Sequence, residues 1–224
     1  MATARINLSS LDGGNGFRLD GEATGDQSGF SVSSAGDVNG DGFDDVIIGA
    51  PLANSNTNVS GSSYVVFGRA SGFDATINLF GLDGSNGFRL DGEATYDHSG
   101  RSVSSAGDVN GDGFDDVIVG APDANYFSGS SYVVFGKASG FDAVMNLSSL
   151  DGSNGFRLDG EATYDLSGSS VSSAGDVNGD GFDDVIIGAH GAPNSNYFGS
   201  SYVVFGRASG FNAVMDLSGL DGSN

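Results

Sequence analysis

The sequence predicts an all-β fold, a β-propeller of four-stranded antiparallel blades with three blades in the chain. Three observations carry that reading. The 224 residues repeat with a period near 70: Leu8, Leu79, Leu147 and Leu217 are equivalent and stand 71, 68 and 70 residues apart. Each period holds four short β-like runs separated by turn residues. The composition is that of turns, with 39 Gly, and with 26 Asp but only 3 Glu among 29 acidic residues. Asp favours turns and caps, whereas Glu favours helices.

In the first repeat the strands are expected at residues 30–35, 45–50, 63–68 and 88–91. The first is small and polar, which suits a crowded innermost position. The second (Val46, Ile47, Ile48) and third (Tyr64, Val65, Val66, Phe67) supply apolar faces for packing blade against blade. The stretch 73–84, with Ile77 and Leu79, fits either an edge strand or an ordered connection. No window shows helical amphipathicity. Segment 31–47 (SVSSAGDVNGDGFDDVI) recurs unchanged at 102–118 and 170–186. A twelve-stranded sandwich is the alternative, but three near-identical copies favour radial symmetry. The expected layout is a closing strand within 1–21, blades at 28–92, 99–160 and 167–211, and a segment 212–224 that repeats the N-terminus.

Between the first two strands of each repeat lies D-x-N-x-D-G-x-x-D. The copies are Asp37, Asn39, Asp41 and Asp45; Asp108, Asn110, Asp112 and Asp116; and Asp176, Asn178, Asp180 and Asp184. Side chains at positions 1, 3 and 5 of a tight loop converge, and the glycine at position 6 permits the turn. The carbonyl at position 7 (Phe43, Phe114, Phe182) can face the same point, and the Asp at position 9 closes the shell. Six or seven oxygens suit Ca²⁺, whereas Mg²⁺ demands a regular octahedron. One Ca²⁺ per repeat, three per chain, is therefore expected. An EF-hand shares the opening residues but needs Glu at position 12, where Ile48, Val119 and Ile187 stand. Asp44, Asp115 and Asp183, at position 8, read as solvated.

The loop, followed by Gly49-Ala50-Pro51 and Gly120-Ala121-Pro122, resembles the FG-GAP repeat of integrin α-subunit propellers and their bacterial relatives. The third repeat departs from it, since His190 follows Gly188-Ala189. The resemblance implies a calcium-bearing propeller, a role in adhesion or ligand recognition, and a parent protein at the cell surface or outside the cell; it does not imply catalysis.

Other classes fit poorly. The net charge of −21 opposes binding to nucleic acid or an anionic membrane. No apolar stretch approaches the ~20 residues of a membrane-spanning helix, and the first residues do not read as a signal peptide. The chain has no Cys, and its two His residues, His98 and His190, are not equivalent. No G-x-S-x-G is present. The chain reads as a non-enzyme, with a lectin-like module, an inert scaffold or, less favoured, an accessory domain of an enzyme as alternatives.

Residues 1–15 and 210–224 are the same part of the repeat, so the third blade is expected to lack its outer strand while residues 16–21 supply one. Propellers have four to eight blades. The expectation is a homodimer forming a six-bladed ring by strand exchange. A protein or glycan partner is expected on the face bearing the strand 2–3 loops (52–60, 123–128, 190–198), where the repeats differ most. Tyr126 and Tyr197 are the aromatic candidates there.

Overall fold

Strands form where β-branched and aromatic residues lie between glycine turns. The computed structural model describes residues 7–53, 59–193 and 198–223; Tyr197 and parts of two strand 2–3 loops lie outside them. The first blade joins β2 (Ser31–Gly36), β3 (Asp45–Ala50), β4 (Ser62–Val66) and β6 (Gly87–Asp91) in antiparallel order. The second joins β7 (Ser102–Gly107), β8 (Asp116–Ala121), β9 (Ser130–Val134) and β11 (Gly155–Asp159) in the same way. The third sheet contains β12 (Ser167–Gly175), β13 (Asp184–Ala189) and β14 (Ser200–Val204).

The stretch left open by sequence is resolved as a strand. Thr76–Asn78 forms β5, Val144–Asn146 forms β10 and Val214–Asp216 forms β15. Each lies parallel to an outer strand of the preceding unit: β10 on β6, β15 on β11, and β5 on β1 (Arg18–Asp20). Blades 1 and 2 are thus four antiparallel strands with a fifth contributed by the following repeat. A 3₁₀ turn follows each added strand, capped by the side chain of Asn78, Asn146 or Asp216. A four-residue element, α1 (Ala124–Phe127), is a tight turn, because Asn125 and Tyr126 are left-handed.

The inner strands β2, β7 and β12 pass close to one another. Ser31 Oγ donates to Gly100 O at 2.8 Å, and Ser102 Oγ to Gly168 O at 2.8 Å. Glycine is required opposite these contacts. A Cβ on Gly49 would lie 1.9 Å from Gly100 O, and one on Gly120 would lie 2.1 Å from Gly168 O. This close approach explains the small residues predicted for the innermost position.

Apolar side chains fill the wedge between neighbouring blades. Ile47 and Val65 of blade 1 share a buried cluster with Val103, Val117 and Tyr132 of blade 2. Towards the outer edge sit aromatic triads. Phe88 stacks on Phe141 at 4.7 Å with Phe67 against both, and Phe156 stacks on Phe211 at 4.5 Å with Phe135 against both. Burying one such ring stabilises the fold by about 1.5–3 kcal/mol, and the offset stack adds roughly 0.5–1.5 kcal/mol.

Candidate metal centre

Each loop begins at a bulge. The β2–β3, β7–β8 and β12–β13 registers shift just before Gly36, Gly107 and Gly175, all with positive φ. The bulge ends strand pairing and turns the chain into the acidic loop. Asp37 accepts at both oxygens, from Asp41 N–H at 3.0 Å and Gly42 N–H at 2.8 Å. Asn39 Oδ1 accepts from Asp41 N–H at 2.9 Å, and Asp41 Oδ1 from Phe43 N–H at 3.0 Å. The same bonds recur around Asp108, Asn110 and Asp112, and around Asp176, Asn178 and Asp180. Positions 1, 3 and 5 are thereby fixed on one tight, exposed turn. Among the described residues, no three acidic or histidine side chains are gathered at metal-binding distances.

Position 9 is different. Asp45, Asp116 and Asp184 are fully buried. Asp45 accepts from Val38 N–H at 3.0 Å and Gly68 N–H at 2.7 Å, tying the loop to the end of the third strand. Asp116 does so with Val109 and Gly136, and Asp184 with Val177 and Gly206. Among the described residues none of the three has an ion-pair partner. Desolvation pushes the Asp45 carboxyl up to about 6 and Asp116 up to about 8, with the loop's own carboxylates adding to both shifts. A carboxylate offers about four lone-pair sites, so two amides leave acceptor capacity. Oxygen donors, a buried carboxyl whose ionisation burial opposes, and the lack of a counter-charge among the described residues together fit a hard cation.

Two position-7 aromatics pack across the blade boundary. The Phe114 ring covers Gly40, and Phe182 covers Gly111. Two of the position-8 residues read as solvated are instead bonded. Asp115 Oδ2 accepts from Asp37 N–H at 2.7 Å, and Asp183 Oδ2 from Asp108 N–H at 3.0 Å. Sequence inspection had no signal for this, because the partner is a backbone amide some 75 residues away. Asp44 remains exposed.

Comparison with known proteins now bears on this arrangement. The model of the FG-GAP repeat family matches residues 28–66, 99–134 and 167–204. The chain belongs to the FG-GAP repeat family. It is similar to integrin alpha-4 of Xenopus laevis, 31% identical over 77% of this chain and 15% of that protein. Integrin alpha-PS5 of Drosophila melanogaster is 34% identical over 77% of this chain and 16% of its own length. Integrin alpha-5 of Xenopus laevis is 29% identical over 86% of this chain and 17% of its own length. The FG-GAP chain thus spans about one sixth of the relatives it matches.

The FG-GAP blades are also cross-linked by a charge cluster. Arg89 pairs with Asp91 on its own strand and with Glu22 before blade 1, and Glu22 accepts from the Tyr64 hydroxyl. Arg157, Asp159, Glu93 and Tyr132 repeat the pattern. The Arg–Asp half is readable from the sequence. The glutamates were missed, although the chain's only three Glu residues, Glu22, Glu93 and Glu161, sit at one repeat position.

Near the strand 2–3 loops the backbone is left-handed at Tyr96, His98, Asn125, Tyr126, Phe127, Tyr164 and Leu166. Phe127 stacks on Tyr164 at 5.6 Å, which brings a 2–3 loop beside a segment preceding a first strand. Tyr126 is 87% exposed. His98 pairs with Asp123 in the same region. Among the described residues no helix is long and apolar enough to cross a membrane.

Proposed function

We propose that this FG-GAP propeller segment is a calcium-organised recognition module, with blades bounded at 28–92, 99–160 and 167–211. One Ca²⁺ per repeat is held by Asp37, Asn39, Asp41, Asp45 and the Phe43 carbonyl, and by their equivalents in the other two loops. The observation that carries this reading is the fully buried aspartate at position 9, near further carboxylates and with only amides as partners. Such a group is costly unless a cation joins it. Three Ca²⁺ ions change the formal charge from −21 to −15, which eases self-repulsion. The ion fixes the bulged hairpin and has no catalytic task.

Calorimetric titration of the chelated chain should give three equivalents of calcium. Asp112→Ala removes an exposed ligand, so the fold should persist and the count fall to two. No calcium binding at millimolar concentration would end this reading.

Recognition falls to the face carrying Tyr126, Phe127 and Tyr164, where loop variation, exposed rings and left-handed backbone coincide. Its partner is a protein or a glycan met at the cell surface or outside the cell. Glycan arrays and a panel of extracellular matrix proteins identify the class. Tyr126→Ala should weaken the hit about tenfold, because an exposed ring supplies contact area at low entropic cost. Undiminished binding by that variant would move the site elsewhere.

A further inference from the structure

We propose that the two ends of this chain form one composite interface, so that two copies join head to tail into a closed ring. The contacts between blades 1 and 2 recur between blades 2 and 3, and each has a third set of partners divided between opposite ends of the molecule. Val38 O accepts from Lys137 N–H at 3.0 Å and Val109 O from Arg207 N–H at 2.9 Å. The equivalent acceptor is Val177, 59% exposed where Val38 and Val109 are each 1% exposed. At the other end Val32 is 67% exposed, where its equivalent Val103 is 7% exposed. Gly40 and Gly111 are covered by Phe114 and Phe182; Gly179 has nothing within 4 Å of its Cβ position, and Phe43 is exposed. Asp44, which has the place of Asp115 and Asp183, is likewise exposed.

The outer strands tell the same story. In blades 1 and 2 the third strand carries a fourth and then a parallel fifth. In the third sheet β14 ends the sheet, while β1 and β5 stand as a separate parallel pair. That pair is equivalent to the fourth and fifth strands of blades 1 and 2. Phe67 and Phe135 each meet a stacked pair of rings; Phe17 and Phe73 are such a pair, stacked at 4.6 Å, and Phe205 is the half-buried third ring.

The register follows by equivalence with Tyr64↔Arg89 and Tyr132↔Arg157, so Tyr202 faces Arg18 of the second copy. Glu161 has, beside Tyr202, the place that Glu22 has at Tyr64 and Glu93 at Tyr132. In both complete sets an arginine joins that glutamate. The third arginine, Arg18, is exposed and, among the described residues, pairs only with its neighbour Asp20. Leu217, buried on blade 2, occupies the place of its equivalent Leu8, which is exposed and stays outside the contact. Six blades fall within the about four to eight that propellers have, so two copies of this 224-residue chain suffice for a ring. Each joint sets one end of a copy against the opposite end of its partner, the two joints are related by a two-fold axis, and closing them leaves no open sheet edge there.

Light scattering of the 224-residue chain should give twice the 22.5 kDa chain mass. Arg18→Glu and Glu161→Arg should each weaken dimerisation about 100-fold, because each places like charges together at both joints. Mixing the two variants should restore the dimer, since each joint then has one cation and one anion. Restoration also shows that both variants are folded. A monomer at all concentrations, a larger or open assembly, or folded variants that fail to complement would overturn the proposal.

Discussion

Chelating calcium is expected to lower the thermal midpoint of this chain by about 20 °C. The size follows from mass action. A ligand at 100 times its dissociation constant stabilises the state that binds it by about 2.7 kcal/mol per site, and three sites give about 8 kcal/mol. For a domain of this length each kcal/mol shifts the midpoint by about 2–4 °C. The buried aspartates are the reason to expect so large a response, because without the ion the folded chain confines each carboxyl with amides alone for company. Differential scanning calorimetry with calcium and with excess chelator makes the measurement. Midpoints that agree within 2 °C or so would remove calcium from the structural role assigned to it.

The second large effect is expected from Phe156→Ala. The ring is fully buried, stacked on Phe211 and met edge-on by Phe135. Truncating a buried Phe costs about 3–5 kcal/mol through lost transfer energy and the cavity left behind. It should therefore lower the midpoint by roughly 10 °C. Phe17→Ala removes the equivalent ring from a half-buried stack with Phe73. In the dissociated chain its effect should be clearly smaller than that of Phe156→Ala, and urea unfolding of both variants makes the comparison. Equal losses would mean that the third ring adds nothing.

Much of this molecule is legible in the sequence because repetition supplies its own control. A run such as Asp45–Ala50, recurring with the same turn residues on both sides, gives a strand that local propensity alone would leave ambiguous. The loop side chains at positions 1, 3 and 5 are readable as one tight turn for the same reason, since their hydrogen bonds lie within it. What escaped reading depends on the packing of one repeat against the next. Asp115 looks like a surface residue until Asp37 N–H is found opposite it. Glu93 gains its role only beside Arg157 and Tyr132. The strand Val144–Asn146 is three residues long and pairs with an earlier blade. Its assignment needs the neighbour's position, which periodicity within one segment does not contain.

The borrowed fifth strand also sets a timetable for synthesis. Blade 1 begins at Ser31, yet its last strand ends at Asn146. A nascent chain emerging from the ribosome must expose most of the next repeat, from Asp91 on to Asn146, before that sheet has all its members. Each repeat is therefore sealed by the one made after it. Maturation follows translation one step behind, with the latest-made blade always the least protected from proteases and from sticky neighbours.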